Sequence, residues 1–167
     1  MTEKTAQRHV LVLGIGNILN TDEGVGVHAV RALQAKFGEP EGFELLDGGT
    51  LGLNLLPLVD DATHLIIMDA VDAGKPAGTL IELHGAEIPL FGGAKLSEHQ
   101  LTFQEVLGLA LLRNTLPENL VLLGVQPESL AIGIGMSPVV QKVLPALCDR
   151  AEALLASWQI LPDGDSC

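Results

Sequence analysis

The segment that decides the fold reads Val10-Leu11-Val12-Leu13-Gly14-Ile15-Gly16-Asn17, and Asp22-Glu23 follows it a few residues later. It opens with a short apolar run of β-prone residues, and the glycines and asparagine that follow are typical of a turn. Apolar residues then recur at helical spacing between Gly24 and Phe37. The segment therefore predicts a strand, a glycine-rich turn and a helix that begins near Gly24.

The same alternation continues along the chain. Four further apolar runs predict strands, at Phe43–Leu46, Leu65–Met68, Leu80–Leu83 and Val121–Val125. Strands that alternate with helical segments indicate an α/β layered fold. With 167 residues and no internal repeat or long linker, residues 1–167 are expected to form a single domain.

Three helices are expected between or after these later strands. A short one follows Gly52, and Ser97 with Gln100 forms a capping box that starts the next helix near Glu98. Ser137 and Pro138 predict the start of the last helix, with Ser137 as its cap. A proline inside that helix, at position 145, is expected to kink or divide it.

Composition excludes several classes of protein. Nine Lys and Arg residues stand against 21 Asp and Glu, a net charge of −12, which disfavours nucleic acid and anionic lipid as partners. The apolar runs are too short to span a membrane, and no export signal is visible. The two cysteines, Cys148 and Cys167, form no Cys-x-x-Cys pair or disulfide framework. We therefore expect a cytoplasmic monomer, with Cys148 packed in a helix.

Carboxylates follow three of the predicted strands. Asp22 and Glu23 come after the first, Asp47 ends the second and Asp69 ends the third. Because the carboxyl ends of parallel strands open onto one edge of a sheet, these side chains are expected to converge there. His99, in the first turn of the predicted third helix, could add an imidazole nitrogen.

Glu23, Asp69 and His99 together resemble the three-ligand sites that hold a divalent ion and leave other positions open. Imidazole with carboxylate suits zinc, nickel and iron. Asp69 stands out because it follows a continuous apolar run, typical of a strand buried on both faces, where a carboxylate needs a partner. The alternative is that the acids only form turns or balance a helix dipole, and that His99 only decorates a capped helix.

Other chemistries have weaker support. Gly14-x-Gly16 and Asp47 suggest a dinucleotide site, but Leu19 stands where the third glycine belongs, and Asp22 and Glu23 would repel a pyrophosphate. No Gly-x-Ser-x-Gly elbow is present. Of the remaining histidines, His28 is predicted to be a partly buried helix residue, and the three that flank strands are predicted to be solvated, at positions 9, 64 and 84.

Five motifs, in this order and spacing, resemble the hydrogenase maturation endopeptidases over nearly the whole chain. The motifs are Val10–Gly26, Leu46-Asp47-Gly48-Gly49-Thr50, Leu65-Ile66-Ile67-Met68-Asp69-Ala70, Ser97-Glu98-His99-Gln100 and Gly124-Val125-Gln126-Pro127-Glu128. The resemblance implies a three-layer α/β/α sandwich around a five-stranded, mostly parallel mixed sheet, with the fourth run as the candidate antiparallel strand.

The resemblance also implies a function. These enzymes remove the C-terminal extension of the large-subunit precursor of nickel-iron hydrogenases, and their nickel-contacting residues fall here on Glu23, Asp69 and His99. Nickel would be carried by the substrate precursor and would act as the recognition signal, while other divalent ions could occupy the site in vitro. The expected partner is the hydrogenase large-subunit precursor.

The catalytic group is less closely defined. The family is grouped with aspartic peptidases, but no Asp-Thr-Gly sequence or carboxylate dyad of the pepsin type is present. A nickel-polarised carbonyl or nickel-activated water could act, with a rim carboxylate as general base. The candidate catalytic residues are Asp69 and Asp47, the latter as base or substrate-positioning residue, unless Asp47 is a plain turn aspartate. A non-enzymatic, nickel-sensing assembly chaperone for the same precursor is the alternative function.

Overall fold

Strand positions follow the apolar runs. The computed structural model describes residues 7–90 and 98–162, with residues 98–102 described by their backbone only. The strands are β1 (Val10–Ile15), β2 (Glu44–Gly49), β3 (His64–Ala70), β4 (Leu80–His84) and β5 (Asn119–Val125). Each predicted run therefore forms a strand, and all five strands extend one to three residues beyond the predicted run at one end or both.

Four α-helices connect and cover the strands. They are α1 (Val25–Phe37), α2 (Leu56–Asp61), α3 (Glu98–Leu112) and α4 (Pro138–Ser157). Short 3-10 helices precede two of them, Thr21–Gly24 before α1 and Gly52–Leu55 before α2. The predicted helix starts are confirmed to within a residue or a turn. None of the helices in the described ranges combines the length and the apolar character that crossing a bilayer requires.

The sheet has the order β2-β1-β3-β5-β4. β1, β2, β3 and β5 are parallel, and β4 pairs antiparallel with β5 at one edge. A strand alternates its side chains between the two faces, so each central strand supplies both halves of the core. The result is the predicted α/β/α sandwich around a mostly parallel mixed sheet.

The two faces bury separate apolar clusters. One contains Val10 and Val12 of β1 packed with residues of α1 and α4. The other contains Leu11 and Leu13 of the same strand packed with residues of α2 and α3. β3 is buried on both faces, because Leu65 through Met68 are all fully buried. This burial confirms the interpretation of the third apolar run as a central strand.

Two local predictions were wrong, and so was part of a third. α4 runs unbroken from Pro138 to Ser157, so Pro145 does not divide it, while a kink at Pro145 stays a prediction. The Ser137 side chain makes no capping bond to its own helix, and its Oγ donates instead to Asp22 Oδ2 at 2.7 Å. His64 is half-buried rather than solvated, because its ring packs edge-on against Trp158 at 5.0 Å between centroids.

Candidate active site

Glycine lets the first helix pack directly on the carboxyl edge of the sheet. A Cβ on Gly16, whose φ is +139°, would lie 2.0 Å from the carbonyl oxygen of Glu23. A Cβ on Gly26 would lie 1.9 Å from the carbonyl oxygen of Met68, the residue before Asp69. Only glycine fits at either position. The turn that carries Glu23 is therefore held against the ends of both β1 and β3.

Glu23 and Asp69 are both buried at this edge. Their exposed fractions are 3% and 5%. Asp69 lies two residues after Ile67, which packs in the α2–α3 cluster, so strand alternation puts Asp69 on that face of β3. Its Oδ1 accepts a hydrogen bond from Ala70 N at 2.8 Å. Carboxylates so far from water need polar or ionic partners, which is the pattern of a functional site rather than of a solvated turn.

The third predicted ligand lies outside the described side chains. α3 begins at Glu98, so residue 99 belongs to its first turn, as the capping box predicted. The side chain of His99 is not among those described. In the described part of the chain, no group of three or more His, Cys, Asp or Glu residues is arranged to hold a metal ion. The joint use of Glu23, Asp69 and His99 as metal ligands stays a prediction.

Asp47 lies at the same edge but next to a different helix. It pairs with Gly14 across the β1–β2 ladder, and its Oδ2 accepts a hydrogen bond from Arg31 of α1 at 3.2 Å. It lines a pocket of about 210 Å³ together with Arg31, Asn17 and Thr50. Asp47 is therefore an ion-paired pocket residue on the α1 side of the sheet, while Asp69 belongs to the α2–α3 side.

Asp22 has a role different from the predicted one of a charge at a helix start. Asp22 is fully buried, and its carboxylate accepts hydrogen bonds from the backbone N–H groups of Glu128, Ser129 and Ser137 and from the Ser137 hydroxyl, at 2.7–3.0 Å. Burial by itself raises the pKa of Asp22, but the bonds from Ser137, Ser129 and Glu128 outweigh it and leave the pKa below its ordinary value.

Asp22 thus anchors the segment between β5 and α4. Residue pairs in this contact are 106 to 115 positions apart, and the donors are mostly backbone groups that any residue type supplies. Ser137 was the one available signal, and its position before Pro138 indicated a helix cap instead. No sequence motif could have identified this role.

Gln126 is a second residue whose role was missed. It is buried directly after β5, and its Oε1 accepts hydrogen bonds from the N–H groups of Ala73 and Lys75. Its Nε2 donates to Asp72 Oδ1 at 3.1 Å, and Asp72 has a lowered pKa, chiefly because of this bond. Gln126 therefore shapes the loop that leaves β3 just after Asp69.

Within the described residues, the remaining histidines and Cys148 give no second site, and Cys167 lies outside those residues. His28 is half-buried as predicted, and burial, with a smaller effect of Arg31, lowers its pKa. Cys148 is half-buried with its Sγ 3.7 Å from the Ala29 carbonyl oxygen, and burial raises its pKa to about 11. A thiol with so high a pKa is a packing residue and a poor nucleophile.

Comparison with known proteins identifies the family. A family model described as hydrogenase maturation protease matches residues 27–154. The chain belongs to this family. It is 41% identical over 162 residues to the hydrogenase expression/formation protein HupD of Bradyrhizobium diazoefficiens, covering 96% of this chain and 84% of that protein. It is 44% identical over 147 residues to the hydrogenase 2 maturation protease of Escherichia coli, covering 87% and 90%.

The fold agrees with that of solved family structures. The hydrogenase maturating endopeptidase HybD of Escherichia coli superposes with a TM-score of 0.83 at 40% identity, covering 90% of this chain and 93% of that one. The protein is accordingly a peptidase of the hydrogenase maturation family, and so a hydrolase. Family membership disfavours both the dinucleotide-binding hypothesis and a purely non-enzymatic chaperone.

Proposed function

We propose that this protein is the endopeptidase that removes the C-terminal extension from the nickel-loaded large-subunit precursor of a nickel-iron hydrogenase. The observation that carries the proposal is the pair of buried carboxylates, Glu23 and Asp69, on adjoining segments at the carboxyl edge of the sheet. The precursor is the proposed partner. The cytoplasm is the proposed location, because a free Cys148 and the lack of a disulfide framework suit a reducing compartment.

Helical spacing supports His99 as the third member of the set. Position 99 lies four, seven and eleven residues before Phe103, Val106 and Ala110, all of which pack on the sheet. Residues at these intervals share one side of a helix. The spacing matches position 99 with these sheet-packed residues of α3, and this match supports His99 as the third proposed ligand.

Nickel is cargo of the substrate in this proposal. Two carboxylates and an imidazole are too few ligands to complete a coordination shell, and the precursor would supply the remaining ligands along with the metal. A precursor without nickel would then lack the contact that positions its scissile segment. Since each ~1.4 kcal/mol of lost contact is a tenfold change in affinity, a modest difference is enough to delay cleavage until nickel is inserted.

The hydrolytic step needs a water and a base. Water attacks the carbonyl carbon of the scissile peptide, the base accepts a proton from that water, and the C–N bond breaks as the leaving amine takes up a proton. Asp47 is the proposed base or substrate-positioning residue, because it lines a pocket beside the Gly16–Asn17 turn and is held in place by Arg31. Asp69, as a metal ligand, would act on the same substrate from the opposite face of the sheet.

The test is to incubate the protein with nickel-loaded and nickel-free forms of the large-subunit precursor from the same genome and to follow intact masses with time. The proposal expects a shortened large subunit and a released peptide only with the nickel-loaded form. Binding without any change in mass would instead support the assembly chaperone. Equal cleavage of both forms would contradict nickel as the recognition signal.

A further inference from the structure

Three large apolar side chains are exposed to solvent on the segments that flank the buried carboxylates. Leu19 is 57% exposed, Ile132 89% and Ile134 92%. The two stretches are bridged, since Gly133 N donates to the Leu19 carbonyl at 2.8 Å and Thr21 N donates to the Gly133 carbonyl at 3.1 Å. We call Leu19, Ile132 and Ile134 the rim patch. Exposed apolar side chains on two segments joined in this way mark interaction sites more often than isolated ones do.

The rim patch is held by a dense set of polar contacts. Thr21 Oγ1 donates to the carbonyls of Ser129 and Ala131 at 2.7 and 3.1 Å, and Asn20 Nδ2 donates to the Leu130 carbonyl at 3.1 Å. The buried carboxylate of Asp22 fixes the two ends of the same segment. A patch whose backbone is already ordered loses less conformational entropy on binding than a loose loop would. The fold therefore presents these apolar side chains in a fixed position.

The position of the patch limits what can cover it. Leu19 precedes Glu23 by four residues, so their Cα atoms are at most about 15 Å apart. A protein that brings a metal to Glu23 would therefore come within about 15 Å of Leu19. The patch residues carry no charge in a chain whose net charge is −12, so the surface suits an apolar partner surface rather than a basic one.

We infer that the rim patch is a docking surface for an apolar region of the protein substrate next to its scissile segment. This inference rests on the proposed function. It assigns substrate affinity to residues outside the carboxylate site, so that recognition has two parts, the metal contact and an apolar protein contact. Part of the free energy gained by burying two or three such side chains is lost to ordering and desolvation at the interface, so the expected net gain in affinity is about tenfold to hundredfold.

The test compares wild type with the double variant Ile132→Ser/Ile134→Ser. Leu112→Ser is the matched control, because Leu112 is 85% exposed at the far end of α3. Binding of the nickel-loaded precursor is measured by biolayer interferometry, and its processing by mass spectrometry at several precursor concentrations. The double variant should bind about tenfold to hundredfold more weakly and show a raised KM with an unchanged kcat. Leu112→Ser should behave as wild type.

Each other outcome has a defined meaning. Unchanged binding and KM in the double variant, with active wild type, would overturn the docking surface and leave the proposed function intact. Wild type that binds the precursor but does not cleave it would overturn the proposed function, and the binding comparison would still decide the patch. Sedimentation velocity compares the oligomeric states of the two proteins. If wild type is a dimer and the double variant is a monomer, the rim patch is a contact between copies of this chain, and the inference is overturned.

Discussion

The two ends of the sheet differ in how deeply they bury polar side chains. Among the described side chains, the buried polar or charged ones are Asp22, Glu23, Asp69 and Gln126, and all of them lie at the carboxyl ends of the strands. At the amino ends, by contrast, polar residues such as Thr63 and His9 are only half-buried, and Thr63 Oγ1 accepts a hydrogen bond from His9 N at 2.8 Å. Burying a charge is costly, so its concentration at one end locates the function there.

The comparison also separates two uses of buried charge within a few residues. The carboxylate of Asp22 is surrounded by backbone donors and serves the architecture of the β5–α4 segment. Glu23, the next residue, and Asp69 belong to the proposed nickel-contacting set. Substitutions at each should therefore fail in different ways, one in stability and the other in activity.

The largest expected effect is on processing by the carboxyl-edge acids. Glu23→Gln and Asp69→Asn should each reduce cleavage of nickel-loaded precursor by at least about a hundredfold, because each removes a charge proposed to contact the metal. The measurement is the mass-spectrometric time course, with thermal unfolding to check the fold. Glu44→Gln, at the amino end of β2 with a side chain 65% exposed, is the matched control and should remain active. Full activity in either edge variant would remove that residue from the site.

A smaller effect, on stability, is expected from substitution of Asp22, which anchors the segment between β5 and α4. Asp22→Asn should lower the free energy of unfolding by about 2–4 kcal/mol, because it weakens the charge-assisted hydrogen bonds that the carboxylate accepts and leaves some of the buried N–H donors poorly paired. Urea unfolding at pH 7 measures this. At the amino end, Thr63→Ala removes a half-buried hydroxyl and should cost about 1 kcal/mol. Equal losses in the two variants would contradict the contrast between the two ends.

The smallest effect is the pH dependence of that anchor. Because the pKa of folded Asp22 lies below its ordinary value, its contribution to stability is full above about pH 4 and is lost as the pH falls through the folded pKa. The difference in unfolding free energy between wild type and Asp22→Asn should therefore shrink as the pH falls below about 4, the usual pKa of an Asp side chain.

A second acid does not disturb this measurement. Glu82 has a pKa lowered to about 2, chiefly by its hydrogen bond to Arg150, and it is present in both chains. The stability that Glu82 loses at low pH is the same in both proteins, so it cancels in the difference between their unfolding free energies. A gap that stays constant down to the lowest pH at which both chains fold would show that Asp22 is not held in its charged form.

Much of this protein followed from the sequence alone. Apolar periodicity and the residues just past each run predict the five strands and their mostly parallel order. They also predict that Glu23, Asp47 and Asp69 share the carboxyl edge of the sheet. These are local signals, so neighbouring residues suffice to read them. The motif order likewise indicated the family that the comparisons identify.

Only the tertiary structure decided the rest. The anchoring of Asp22 by backbone groups from Glu128 to Ser137, and the opposite sheet faces of Asp47 and Asp69, depend on contacts between distant segments and on strand register. The Ser137 hydroxyl was misassigned as a helix cap because the sequence beside it gave no sign of a carboxylate 115 residues away. Backbone donors carry no residue signature, so a role built on them is visible only once the chain is folded.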